Sequence, residues 1–231
     1  MVARQLNAHL PHPPARIADI GGGAGHQAIP LAREGYEVTL LEPSRAMLRV
    51  ARGILESEEE GPRRRVRLVE GAGERASEIL GGFPFDAVLC HGVLPYPLSQ
   101  SLASVARPGA MISVLAKNTN ALAVRPALEG RYEDALAALD ADRDLGRLGA
   151  VPRGDTIAGL HGLFEKASVE LVRSYGVRVF TDHLGDRPPD ASLPDVMRLE
   201  EEAGRRDPYR SVARLIHLIG TKATLLTTVS Y

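Results

Sequence analysis

The sequence predicts an α/β protein built on a mostly parallel sheet, and three observations carry that expectation. Short apolar runs alternate with amphipathic stretches through residues 16–115, the pattern of successive strand–helix units. The first run ends in a glycine-dense turn, Asp19-Ile20-Gly21-Gly22-Gly23-Ala24-Gly25. Later runs end in or beside residues able to do chemistry: Glu42, then Gly73 and Glu74, then His91. In a sheet wound this way, ligands sit at the carboxyl ends of the strands.

Composition sets the outer bounds. A chain of 231 residues suffices for one α/β domain with a substantial core and is short for two. Hydrophobic residues at 44% and charged residues at 25% are ordinary for a folded soluble chain. The formal net charge of -1 excludes a global basic field, so any nucleic-acid contact must come from a local patch. Cys90 is the single cysteine, so no disulfide forms within the chain, which favours a reducing compartment. No run approaches the ~18 apolar residues of a membrane span, and the expected location is the cytoplasm.

Taken in order, residues 2–10 read as a short helix followed by a proline-rich lead into the first strand, 16–21. The next helix contains Pro30, which is costly beyond a first turn, so regular helix is expected from Leu31 onward with Gly35 as its stop. The second strand is expected at 36–41, and Ser44 is a good N-cap for a helix carrying Met47, Leu48, Ala51 and Leu55 at helical spacing. That helix runs into acidic residues 56–60, where the dipole opposes them and fraying is expected. Arg63, Arg64, Arg65 and Arg67 then read as a phosphate patch or, more simply, as a solvated loop and strand start beside the acidic run. Strands follow at 66–69, 85–90 and 110–115, with a helix at 98–106. Beyond them the pattern predicts a helical insertion at 118–144, a loop at 150–155 and a helix at 156–166. A strand at 169–179 interrupted by Gly176, a helix at 195–203 and a last strand at 214–221 complete the chain.

The glycine turn is a nucleotide-type cradle, because glycine lets the main chain approach a ligand and the following helix offers free N–H groups. A dinucleotide fingerprint needs a third glycine three residues after the second. Counted from Gly23 that position is His26, so the dehydrogenase pattern fails. An acidic residue before alternating glycines, as in Asp19 with Gly21, Gly23 and Gly25, instead resembles motif I of the class I S-adenosylmethionine (SAM)-dependent methyltransferases. Glu42 suits either ligand, since a carboxylate closing the second strand can accept from ribose hydroxyls.

Further segments narrow the resemblance. Phe85-Asp86-Ala87-Val88-Leu89-Cys90-His91-Gly92-Val93-Leu94, Gly176-Val177-Arg178-Val179-Phe180, Pro208-Tyr209 and Arg214-Leu215-Ile216-His217 resemble the tRNA 5-carboxymethoxyuridine methyltransferase family. With residues 16–50 and 107–118 the similarity covers most of the chain in the same order. It implies a Rossmann-like class I methyltransferase fold: a seven-stranded, mostly parallel sheet flanked by helices, with helical insertions after strand 5 and before the last strand. It also implies one domain over 1–231, with the cofactor half at about 15–117 and substrate-side elements at about 118–231. The implied activity is SAM-dependent esterification of the carboxylate on a modified wobble uridine of tRNA. A small-molecule carboxyl or hydroxyl O-methyltransferase on the same scaffold is the alternative. Family members carry a longer N-terminal segment that helps cover SAM and supplies an arginine there; this chain's first strand begins near Arg16, so a cover from elsewhere, a truncated start or a different substrate is expected.

The resemblance assigns cofactor contacts to Gly21, Gly22, Glu42, Gly73, Glu74 and His91. On chemical grounds Asp19 is expected to orient the glycine loop and meet the methionine ammonium, or else to cap turn N–H groups. Gly23 and Gly25 complete the cradle. Pro43 and Met47 are expected to flank the adenine, although Met47 also fits a core position. Glu74 is expected to accept from the adenine amino group. His91 stands where base-methylating relatives carry an acidic or amide residue, two prolines and an aromatic, and the lack of that motif argues against amine methylation. It is expected to position ligand through its carbonyl or ring, or to act as general base toward a hydroxyl, having a reference pKa of about 6.5. A carboxylate acceptor needs no base. Arg178 and Arg214, with Tyr209 beside them, are candidate substrate contacts because guanidinium is the natural carboxylate fork; pairing with Asp182 is the alternative. His217 reads as a core histidine, and His9, His12 and His26 show no metal spacing, so no metal site is expected.

Overall fold

The computed structural model describes residues 1–81, 84–92, 98–139, 155–185, 187–189 and 192–224. Its centre is one seven-stranded sheet. The strands are β1 (Arg16–Ile20), β2 (Glu37–Glu42), β3 (Val66–Glu70), β4 (Phe85–His91), β5 (Ala106–Lys117), β6 (Val169–Val177) and β7 (Leu215–Lys222). They lie in the order β3-β2-β1-β4-β5-β7-β6. β1 to β5 pair in parallel, whereas β7 runs antiparallel to both its neighbours. β1 is therefore flanked by β2 on one side and β4 on the other, which makes its carboxyl end the point where strand order reverses.

Helices cover both faces because the strands bury residues on both. One face carries Ile17, Val38, Leu40, Ala87, Leu89 and Met111, packed under α1 (Val2–Asn7), α2 (Ala28–Arg33) and α3 (Arg45–Glu56) through Leu6, Leu31 and Leu48. The other carries Ala18, Ile20, Val88, Cys90, Ile112 and Val114, packed under α5 (Ala76–Leu80), α6 (Leu98–Val105) and α9 (Ile157–Lys166). Between α3 and β3 stands a short α4 (Glu60–Arg65); after β5 come α7 (Val124–Leu128) and α8 (Tyr132–Leu139), and before β7 comes α10 (Leu193–Gly204).

Several expectations change. Pro30 sits in the first turn of α2, where its missing N–H costs no helical hydrogen bond, so the helix starts before it. Residues 60–65 are helical rather than a solvated loop: Glu60 opens α4, Arg63, Arg64 and Arg65 close it, and an Arg64–Glu60 pair spans one turn, all favourable to the dipole. Gly176 does not interrupt β6. It lies in register against Ile216, and a Cβ there would stand 2.7 Å from the Ala213 Cβ. A Cβ on Gly204 of α10 would in turn meet the Gly176 carbonyl oxygen at 2.3 Å, so these two glycines allow helix and strand to touch. Of the expected insertion at 118–144, residues 140–144 lie outside the described residues, as do 150–154 of the expected loop.

Candidate functional site

The carboxyl edge of β1 and β2 brings the first group of expected residues together. After β1, Gly21 and Gly22 donate their N–H groups to the Leu41 carbonyl at 2.7 and 3.4 Å, which folds the turn back onto β2. Gly21, Gly23 and Gly25 have φ of 72°, 56° and 85°, the left-handed region. At Gly23 a Cβ would meet nothing within 4 Å, so the backbone faces open space there. At Gly22 the reason for glycine differs: a Cβ would fall 2.6 Å from Asp19 Oδ2 and 2.8 Å from Leu40 Cγ.

Asp19 is 1% exposed, and its Oδ2 has no hydrogen-bond partner. Burial, with the nearby Glu42 carboxylate adding to it, pushes its pKa up to about 7. A buried carboxylate oxygen without a donor is costly, and a cationic or N–H-bearing ligand group would remove that cost. Glu42 at the end of β2 is also buried, but its oxygens are engaged: Oε2 accepts from Gly23 N–H at 3.0 Å and Oε1 from Ser44 N–H at 2.8 Å. It thus ties the glycine turn to the start of α3, where Ser44 Oγ accepts from Met47 N–H at 3.3 Å. Each carboxylate oxygen keeps a further lone pair for a ligand hydroxyl.

Pro43 and Glu74 are exposed, and Met47 is 47% exposed, which removes it from the core. Gly73 and Glu74 form a single helical turn beyond β3, and Ser101 Oγ donates to the Glu74 carbonyl at 3.0 Å. His91 ends β4 with Nε2 2.8 Å from Ser113 Oγ, and its Nδ1 is buried without a partner. Burial lowers its pKa to about 4, which makes the ring a weaker base than a free imidazole.

The second group lies along the same edge of the sheet, beyond β6 and β7. Arg178 follows β6 with φ of 59°, unusual for a residue with a side chain. Its Nη2 donates to the Gly185 carbonyl at 2.9 Å, and Nε lies 3.6 Å from Asp182 Oδ1. Arg214, just before β7, places Nε 3.8 Å from Asp182 Oδ2. Both arginines thus face the acid named as their alternative partner. Tyr209 is half exposed, its ring centroid 6.0 Å from that of Phe180, which is also exposed. Glu200 of α10 fixes this region by accepting from the N–H groups of Val179, Phe180 and Thr181 at 2.7, 3.0 and 2.8 Å.

Three residues that sequence reasoning did not assign to the site adjoin it. Ser113, buried in β5, bridges His91 and His217, lying 2.8 Å from each, and Gln5 Oε1 lies 2.7 Å from His217 Nδ1. The available signal was a serine inside the apolar run Met111-Ile112-Ser113-Val114, which requires a buried partner. Asn118 does similar work beyond β5, donating through Nδ2 to the Ser211 and Ala213 carbonyls at 2.9 and 2.8 Å. Among the described residues no group of three or more His, Cys, Asp or Glu is arranged to hold a metal ion. No helix among them is long and apolar enough to cross a membrane.

Residues 18–117 match a methyltransferase domain family, a span that holds the glycine turn, Glu42, Gly73, Glu74 and His91. This span is a methyltransferase domain. The tRNA 5-carboxymethoxyuridine methyltransferase of Escherichia coli K12 is 28% identical over 213 residues, covering 90% of this enzyme and 80% of that one. A SAM-dependent methyltransferase from Mesorhizobium loti superimposes with a TM-score of 0.63 at 18% identity, covering 94% of this enzyme and 96% of that chain. The 1,6-didemethyltoxoflavin-N1-methyltransferase of Burkholderia thailandensis, solved with bound 1,6-didemethyltoxoflavin and S-adenosylhomocysteine, does so with a TM-score of 0.59 at 16% identity, over 96% of this enzyme and 76% of that chain. The methyltransferase therefore has the Rossmann-like class I fold expected from its sequence.

Proposed function

We propose that the enzyme transfers the SAM methyl group to a carboxylate, forming a methyl ester on the modified wobble uridine of tRNA. The observation that carries this reading is the similarity to the E. coli tRNA 5-carboxymethoxyuridine methyltransferase. It spans 90% of the chain and so includes the elements beyond the domain match as well as the cradle. A fold-level likeness alone would say nothing of the acceptor.

The residues present suit SAM. The unpartnered Asp19 oxygen would take the methionine ammonium, Glu42 the ribose hydroxyls, and Gly21, Gly22, Gly23 and Gly25 would let the backbone approach. Pro43, Met47, Gly73 and Glu74 would frame the adenine, with His91 at the methionine end. When bound, SAM supplies an electrophilic methyl on a sulfonium sulfur. The chain's own part is then to hold an acceptor in line and keep water out. A carboxylate is ionised at neutral pH and needs no base. That agrees with a His91 whose pKa is lowered to about 4, a weaker base than a free imidazole. Arg178, Arg214 and Tyr209 would bind the acceptor. The left-handed backbone of Arg178 supports a functional role, since such strain persists where surrounding structure enforces it.

A second reading, a small-molecule carboxyl or hydroxyl acceptor, is favoured by Asp182, which faces both arginines and offsets part of their charge. Deleting the gene separates the two. The tRNA reading expects loss of the methyl ester from the wobble nucleoside in tRNA hydrolysates. An unchanged nucleoside profile overturns it and leaves the small-molecule reading.

A further inference from the structure

Four polar side chains from four elements form a line along one face of the sheet. Gln5 comes from α1, His217 from β7, Ser113 from β5 and His91 from the end of β4. Gln5 is nearly buried, and Ser113 and His217 are completely so. Buried groups of this kind need every donor matched to an acceptor, and here the matching fixes where each proton sits.

The line starts at an amide oxygen. Gln5 Oε1 can only accept, so at 2.7 Å His217 Nδ1 carries the proton. His217 is neutral, because burial first, and then His91 and His9, hold its pKa well below the usual histidine range. Its Nε2 is therefore a lone pair that accepts from the Ser113 hydroxyl at 2.8 Å. With its only proton so used, Ser113 Oγ accepts from the Nε2–H of His91 at 2.8 Å. The proton of His91 is then on Nε2, and the buried, unpartnered Nδ1 is a bare acceptor.

Asp19 pairs with Leu89 across β1 and β4, and His91 stands two residues beyond Leu89. Side chains two apart share a face, so Asp19 and His91 look the same way from adjacent strands. Each presents a buried acceptor atom without a donor, Oδ2 and Nδ1. A ligand group serving both must be rich in N–H and favourably positive, as a primary ammonium is; a carboxylate would be repelled by the pair.

We propose that Gln5, His217 and Ser113 are positioning residues that lock His91 as the Nε2–H tautomer, so that its ring Nδ1 accepts from the ammonium of the methyl donor. This rests on the SAM-dependent methyltransferase assignment and not on the identity of the acceptor. It makes α1 a working part of the site: an amide on the first helix sets the polarity of a ring at the end of β4.

The test is long-range proton–nitrogen NMR on the full chain labelled with nitrogen-15 in histidine. The ligand-free enzyme should show His91 protonated at Nε2 and bare at Nδ1, and His217 the reverse. Gln5→Met removes the amide while keeping a side chain of similar length, and it should turn His91 into a mixture of tautomers through two intervening hydrogen bonds. A purely structural Gln5 would leave the His91 ring unchanged. Added S-adenosylhomocysteine should move the His91 Nδ1 signal toward the hydrogen-bonded range, whereas adenosine, which lacks the ammonium, should not. Gln5→Met and Ser113→Ala should each weaken S-adenosylhomocysteine about fivefold by calorimetry. A proton on His91 Nδ1 in the ligand-free wild type overturns the relay, even if neither variant folds. Equal responses to the two ligands overturn the ammonium contact. If S-adenosylhomocysteine fails to bind at all, the cofactor assignment falls with that contact, while the ligand-free tautomers still decide the relay.

Discussion

Replacing Asp19 by asparagine should stabilise the ligand-free enzyme at pH 8 while weakening its hold on SAM. The unfolded carboxyl titrates near 3.8 and the folded one is pushed up to about 7. Between these values the folded state keeps a proton that the unfolded state has lost, so wild-type stability from this group falls as pH rises and levels off above about 7. At about 1.4 kcal/mol per pH unit, the rise from 3.8 to about 7 makes ionised Asp19 cost about 4 kcal/mol in the ligand-free fold. The substituted amide has no such charge to bury. Denaturant unfolding of both proteins at pH 4, 6 and 8 should therefore show the variant's advantage near zero at pH 4 and growing to a few kcal/mol at pH 8. Ligand binding should show the opposite sign. An ammonium beside Asp19 favours its ionised form, so wild-type affinity for SAM should climb as pH rises toward about 7 and then flatten, while the variant should bind more weakly and lose that climb. An Asp19→Asn variant equally or less stable than wild type at pH 8, with unaltered pH dependence, would refute the buried-charge argument.

Glu42→Ala should lower SAM affinity at least about tenfold by calorimetry, a loss of about 1.4 kcal/mol; undiminished binding would sink the ribose assignment. It should also destabilise the fold by about 1–3 kcal/mol, because the Gly23 and Ser44 N–H groups lose their acceptor. Gly22→Ala should destabilise by about 1–3 kcal/mol in thermal unfolding, since its Cβ would stand 2.6 Å from Asp19 Oδ2.

How legible each part is follows from how local its cause is. The cradle can be read because its requirements lie within a few residues of one another: positive φ at the glycines, Ser44 at a helix start, Glu42 closing a strand. Strand pairing is nonlocal, and the antiparallel placement of β7 between β5 and β6 has no signature within those segments. Gly176 misleads for the same reason. A glycine looks like a break in a strand until the helix that needs its bare Cα is known, and Gly204 lies far along the chain. The run 60–65 misleads because its two charge blocks suggest solvation separately, whereas together they suit the two ends of one short helix.

The relay shows where a sequence still speaks about distant contacts. Asp19, Ser113 and His217 each sit inside a strand whose neighbours are apolar, and each is completely or almost completely buried. In a core strand such a residue is either costly or partnered, and the choice of partner cannot be read from its own segment. Ser113 joins two histidines from different strands, and Gln5 closes the line from the first helix. Asp19 Oδ2 and His91 Nδ1 are buried ends that the protein leaves without donors. On the reading proposed above, these two acceptors on adjacent strands are the ones a bound ligand would serve. The buried Asp19 carboxyl is also why the ligand-free fold should gain from Asp19→Asn while the ligand complex should lose.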